Sequence, residues 1–245
     1  MGKSQKQSRR ELIEKMQRDQ AKADRRRTIL IVVLAVVVGL GIIAYPAIRL
    51  IQDARLKNTA TADIGAKASA AACDAVLTDP AETYEQHETQ EGIVIKYKYS
   101  PPTSGRHYQY PATFDKKYYT SDRPPISTLV HNLEHGYTIV WYDDTIGKDK
   151  KQLRLLERIA KGKLPASSQG KIIIAPFHAN DGDAWPAGKH IAFSHWGAPT
   201  DRSTEEKAKT TQVGHRQFCG SVSGEAIQAF TDKYPADDTP EPGAA

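Results

Sequence analysis

The pattern of apolar and polar positions divides the chain into one unbroken apolar run and a series of short ones. From Thr28 to Ile48 (TILIVVLAVVVGLGIIAYPAI) no charged side chain occurs, and Leu, Ile and Val dominate. As a helix at 1.5 Å per residue the run is about 31 Å long, close to the hydrocarbon thickness of a bilayer. It lacks the polar face that a surface helix of a soluble domain would show. The pattern predicts a transmembrane helix over residues 28–50, with Pro46 near its outer end. Further on, β-rich runs predict strands at Ile93–Tyr99 (IVIKYKY), Tyr137–Tyr142 (YTIVWY), Lys171–Phe177 and His190–Trp196. Helical spacing predicts Ile126–His135, preceded by Pro124 and Pro125 and closed by Gly136. It also predicts Lys150–Lys161, through Leu153, Leu156 and Ile159, and a closing helix over Ser223–Tyr234 with Ile227 and Phe230 inward.

This order implies an α+β fold, a single transmembrane helix followed by one compact mixed-sheet domain. It resembles the thioredoxin element order, but without C-x-x-C the redox chemistry of that fold does not carry over. The organisation reads as a basic tail (1–27), the transmembrane helix (28–50), a tether or helix extension (51–72), the α+β domain (73–236) and a loose Pro-, Asp- and Gly-rich tail (237–245). Residues 8–27 read as a charged, solvated or lipid-touching helix.

Charge gives the anchor a direction. Residues 1–27 hold ten Lys/Arg against four acids, whereas the whole chain carries only +5. The positive-inside rule puts the amino terminus in the cytoplasm and the domain outside. A cleaved signal peptide fits less well, because the basic and apolar regions are both too long and no convincing A-x-A site follows at the expected place. The excess charge suits anionic lipid headgroups. With a near-neutral domain, nucleic acid is not an expected partner. Cys73 and Cys219 are the two cysteines. In an oxidising compartment they read as a disulfide, with two unrelated thiols as the alternative. Closing so long a loop would contribute about 4–5 kcal/mol by chain entropy.

Candidate chemistry concentrates in VHNLEHG, starting at Val130. His131 and His135 are four apart, on one face of a helix, with Glu134 beside them. This is the H-x-x-E-H order of the inverted zinc peptidases, in which the Glu is the general base and Glu205 or Glu206 would serve as third ligand. Against that reading, Gly136 stops the helix at once, and histidines also suit the negative end of a helix. Val130 and Leu133 would face inward, leaving both histidines on the polar side. His87, His107, His178, His190, His195 and His215 could add imidazoles for zinc or copper. Met1 and Met16, the two methionines, lie on the cytoplasmic side, so a Met-rich copper(I) site is excluded. Ser104 and Ser194 have no G-x-S-x-G context, and Trp141, Trp185 and Trp196 read as core or interface anchors.

HETQEGIVIKYKYSPPTSGRHY followed by LVHNLEHGYTIVWYD resembles an actinobacterial membrane-anchored family catalogued only as a domain of unknown function, whose members share PPTSGxHY and HxLEHG. The resemblance runs from about Thr83 to Tyr234. It implies His107, His131, Glu134 and His135 as the family's polar positions, with His87 beside them, and Arg106 stands where a proline is expected. Chains of this kind also resemble accessory proteins of the cytochrome bcc–aa3 respiratory supercomplex. The resulting expectation is a non-enzymatic accessory or assembly subunit of such a membrane complex, without a required cofactor. The alternative is a zinc or copper protein, or a hydrolase, built on His131, Glu134, His135 and His107.

Overall fold

The computed structural model describes residues 2–82, 87–90 and 92–244. Thr83, where the resemblance begins, and the ends of the two terminal segments, Met1 and Ala245, lie outside the described residues. The chain forms two compact units, Met1–Arg55 and Leu56–Ala245.

The first unit is carried by helix α1 (Gly2–Asn58), which continues through Pro46 without ending. The stretch Arg9–Asn58 is long and apolar enough to cross a membrane, and its apolar run is unburied. So much exposed Leu, Ile and Val is stable only in lipid or against another apolar surface.

The second unit is α+β. In chain order it comprises β1 (Leu77–Pro80), β2 (His87–Glu88), β3 (His107–Tyr108), α2 (Ile126–Glu134), β4 (Thr138–Tyr142), α3 (Asp144–Lys148), α4 (Lys150–Lys161), β5 (Ile172–Pro176), β6 (Ile191–Gly197), α5 (Glu205–Thr210), β7 (Val213–Cys219) and α6 (Gly224–Lys233). Five strands form one sheet in the order β1–β7–β6–β4–β5, and β2 and β3 form a separate pair. Within the main sheet β4 and β5 are parallel, and the other neighbours are antiparallel. Alternation along β4 supplies two cores. Val140 and Tyr142 pack with Leu156 and Ile159 of α4 and Ile227 and Phe230 of α6. Ile139 and Trp141 pack with Leu129, Val130 and Leu133 of α2. Helices thus cover both faces, which is why β4, β5 and β6 are buried at every position. Asp143 and Asp149 cap α3 and α4, each side chain accepting from two backbone N–H groups of the first turn. A disulfide joins Cys73 to Cys219, tying the segment that leads into β1 to the end of β7.

Three expectations are corrected. Ile93–Tyr99 is not a strand: Val94 is 86% exposed, the Ile93 carbonyl accepts from the Tyr108 hydroxyl, and the Lys98 N–H donates to Glu82. Alternation makes a strand only where a sheet edge is open to it. Here β1 takes one edge, and residues 117–119 hydrogen-bond to Ile174 along the other. The tether or helix extension is α-helical only to Asn58; beyond it come two single 3-10 turns, Thr61 and Ile64 are buried, and Ile64 packs into the α4/α6 core. The tail beyond Ala236 is not loose. Thr239 is fully buried and its hydroxyl donates to the Glu134 carbonyl, while Lys171 Nζ donates to the Ala244 carbonyl at 2.6 Å.

Candidate metal centre

Helix α2 follows Pro124 and Pro125 and stops at Gly136, whose φ of +83° is left-handed. A Cβ there would lie 2.1 Å from the Ala236 carbonyl oxygen. Glycine therefore both ends the helix and admits the carboxyl-terminal segment. The spacing expectation left His131 and His135 on a polar side, but α2 is enclosed all round. His131 is 4% exposed and Glu134 1%. The cause is a loop over that face, held by Asn132, whose side chain accepts from the Ala112 N–H and donates to its carbonyl, both at 2.9 Å.

The PPTSGRHY loop supplies the next ligand candidate. Pro101 through Gly105 are buried. Gly105, at φ +120°, lets the chain double back so that its carbonyl accepts from His107 Nδ1 at 2.7 Å. β3 then runs parallel to β2 with His107 opposite His87. Arg106 is ion-paired with buried Glu88, so this side chain holds β2 against β3.

These elements bring together His87, His107, His131 and Glu134, whose ligand atoms all lie within 4.8 Å of one another. The Glu134 carboxylate is 3.0 Å from His107 Nε2 and 4.0 Å from His87 Nε2. Tetrahedral ligands at 2.0–2.1 Å from an ion stand about 3.3 Å apart, so the spacing suits a shared cation. The tautomers agree with this. His107 Nδ1 donates to the Gly105 carbonyl and His131 Nδ1 to that of Tyr108, both at 2.7 Å. Carbonyls only accept, so each Nδ1 carries the hydrogen, and in the neutral ring each Nε2 carries the lone pair. Metal-binding imidazoles are oriented in this way by a second hydrogen bond.

The decisive feature is a pair of buried acceptors facing each other. His107 Nε2 and both Glu134 carboxylate oxygens have no hydrogen-bond partner among the described residues, and the 3.0 Å approach between them lacks hydrogen-bond alignment. Leaving a carboxylate unpaired in such a place costs several kcal/mol. A divalent cation between them would remove that cost. Burial, with His107 and His135 close by, pushes His131 down to about 4. A carboxylate among imidazoles is a donor set suited to zinc or copper(II).

His135 lies beside this set rather than in it. Its Nε2 is 3.1 Å from His131 Nε2 and 3.3 Å from Glu241, and Glu134, His135 and Glu241 form a second group within 4.8 Å. Glu205 and Glu206 belong to neither group, since they sit on α5, where exposed Glu205 pairs with Lys209. The other histidines do not join either group. His178 and His190 bond Asp144 and Asp143 at the far end of β4, and His195 and His215 bond the Asp238 carbonyl and Thr78. Trp141 and Trp196 are core anchors, their indole N–H groups donating to Ser194 and Gln212. Glu241 is the member that sequence reasoning missed, because an acid in a Pro- and Gly-rich tail carries no periodic signal.

A family model described as a protein of unknown function (DUF3105) matches residues 87–245, the segment that supplies every member of both groups. No curated protein and no solved structure matches the chain.

Proposed function

The chain belongs to the DUF3105 family of proteins of unknown function, and from the site that this segment builds we propose that it binds a divalent transition metal, zinc or copper(II), through His87, His107, His131 and Glu134. The observation that carries the reading is the buried approach of His107 Nε2 to the Glu134 carboxylate, with no hydrogen bond at either among the described residues. Glu134 serves here as a ligand. As the general base of an H-x-x-E-H peptidase it would need to face a substrate water, whereas its side chain is 1% exposed and lies among the imidazoles. Hydrolysis is therefore not part of the proposal. The expected accessory role beside the cytochrome bcc–aa3 supercomplex stays an expectation of the resemblance, and metal binding is compatible with it.

Elemental analysis of the full chain, purified in mild detergent without chelator, tests the reading. We expect zinc or copper to co-purify with the wild type. Glu134→Gln together with His107→Ala should lose it while circular dichroism keeps the wild-type spectrum. Thermal unfolding should rise on adding the metal to the stripped wild type and stay put in the double variant. Wild-type protein that holds neither metal, and melts at one temperature with or without them, ends the idea.

A further inference from the structure

We propose that the centre is built for two ions, with Glu134 as a bridging carboxylate and His135 and Glu241 as the second ion's own ligands. The proposal rests on the single-site reading above and goes beyond it in stoichiometry and in the role of the carboxyl-terminal strap.

The argument begins with the geometry of the two groups. Both contain Glu134, and they share no other residue. The six ligand atoms do not all lie within 4.8 Å of one another, so one coordination sphere does not accommodate them all. Glu134 offers two oxygens, both buried and both without a hydrogen bond among the described residues, as a carboxylate between two cations would. The 3.3 Å between His135 Nε2 and Glu241 Oε2 is the spacing of adjacent ligands on one ion, about 3.3 Å for tetrahedral geometry.

The second observation is the way Glu241 is delivered. Its segment is pinned on both sides. Upstream, the Thr239 hydroxyl donates to the Glu134 carbonyl and His195 bonds the Asp238 carbonyl at 2.6 Å. Downstream, Lys171 Nζ donates to the carbonyls of both His135 and Ala244, at 2.8 and 2.6 Å. One ammonium group thus ties the strap to the residue that would share its metal. These contacts hold the backbone around Glu241, yet its side chain is 44% exposed, against 13% for His135 and 1% for Glu134. Each group has one exposed member, Glu241 in the second and His87, at 41%, in the first, so both positions meet solvent.

The test is a metal titration of the full chain in detergent after removal of bound metal, with zinc as the probe and elemental analysis after desalting. We expect two zinc ions per wild-type chain and one in Glu241→Gln, with the second binding step weakened at least about tenfold. Because Glu241 is half exposed, the variant should fold, and its melting curve without metal should overlay the wild type. Copper(II) gives an independent readout: two ions sharing a carboxylate produce a spin-coupled resonance signal, which the variant should replace with that of an isolated ion. One ion in the wild type overturns the two-ion proposal and leaves the single site standing, and two ions kept by Glu241→Gln overturn the ligand role given to Glu241. No ion at all overturns both.

Discussion

His195 and His215 face each other across β6 and β7, outside the candidate centre. Burial lowers the pKa of both, taking His215 to about 4, with His195 and Lys233 acting in the same direction and Asp238 against them. His215 also lies against the Tyr234 ring, 3.8 Å between centroids, and bonds Thr78. A histidine depressed in the folded state is protonated more readily in the unfolded chain. Its stabilising contribution is thus complete above the ordinary value of 6.5 and is lost as pH falls toward 4. We expect the denaturation midpoint, measured with chelator present, to drop between pH 7.5 and pH 5, and to drop less in His215→Gln. An equal pH dependence in the variant would remove His215 from the account. At this scale the legible residues were those whose neighbours are local. His131 and Glu134 share a helix that His135 caps, and His107 follows the Gly105 turn. His87 depends on a two-residue parallel ladder and Glu241 on a strap pinned at a distance, and neither arrangement leaves a periodic trace.

Elements were read well where packing and periodicity agree. β4, β5, β6, α4 and α6 each have a face or faces committed to a single core, and their limits in the structure fall within a residue or two of the pattern. β7 was missed because Val213–Cys219 carries Gly214, His215, Arg216 and Gln217, residues that fit poorly with strand propensity. Its place is secured from outside itself, by Arg216 pairing with Asp79 of β1 and by the bridge at Cys219. The junction between α2 and β4 is the element boundary on which the centre depends. Gly136→Ala would put a side chain at positive φ and drive its Cβ into the Ala236 carbonyl. We expect a loss of about 2 kcal/mol or more, from the left-handed backbone and the displaced segment together. The amides from Thr239 to Ala244 should also exchange faster with solvent. Unchanged exchange there would mean that the strap is held without the close approach at Gly136.

At the scale of the whole molecule, the bridge and the proposed metals make the same demand on topology. A disulfide between Cys73 and Cys219 persists in an oxidising compartment and is reduced in the cytoplasm. The apolar helix is fit to separate the two compartments, and ten basic residues against four acidic ones before Thr28 favour keeping the amino terminus inside. Cysteine reporters at exposed sites on the two units decide the orientation. Ser203→Cys, on the second unit, should react with a membrane-impermeant maleimide in intact cells. Gln20→Cys, on the basic segment, should react only after lysis. The native cysteines give no background because they are bonded to each other. The reverse pattern would place the domain in the cytoplasm. There the bridge would be reduced, and the centre would compete for metal with cytoplasmic thiols, which favour copper(I) and zinc over an imidazole–carboxylate set. Orientation therefore determines which ions the site can meet as well as which partners the domain can reach.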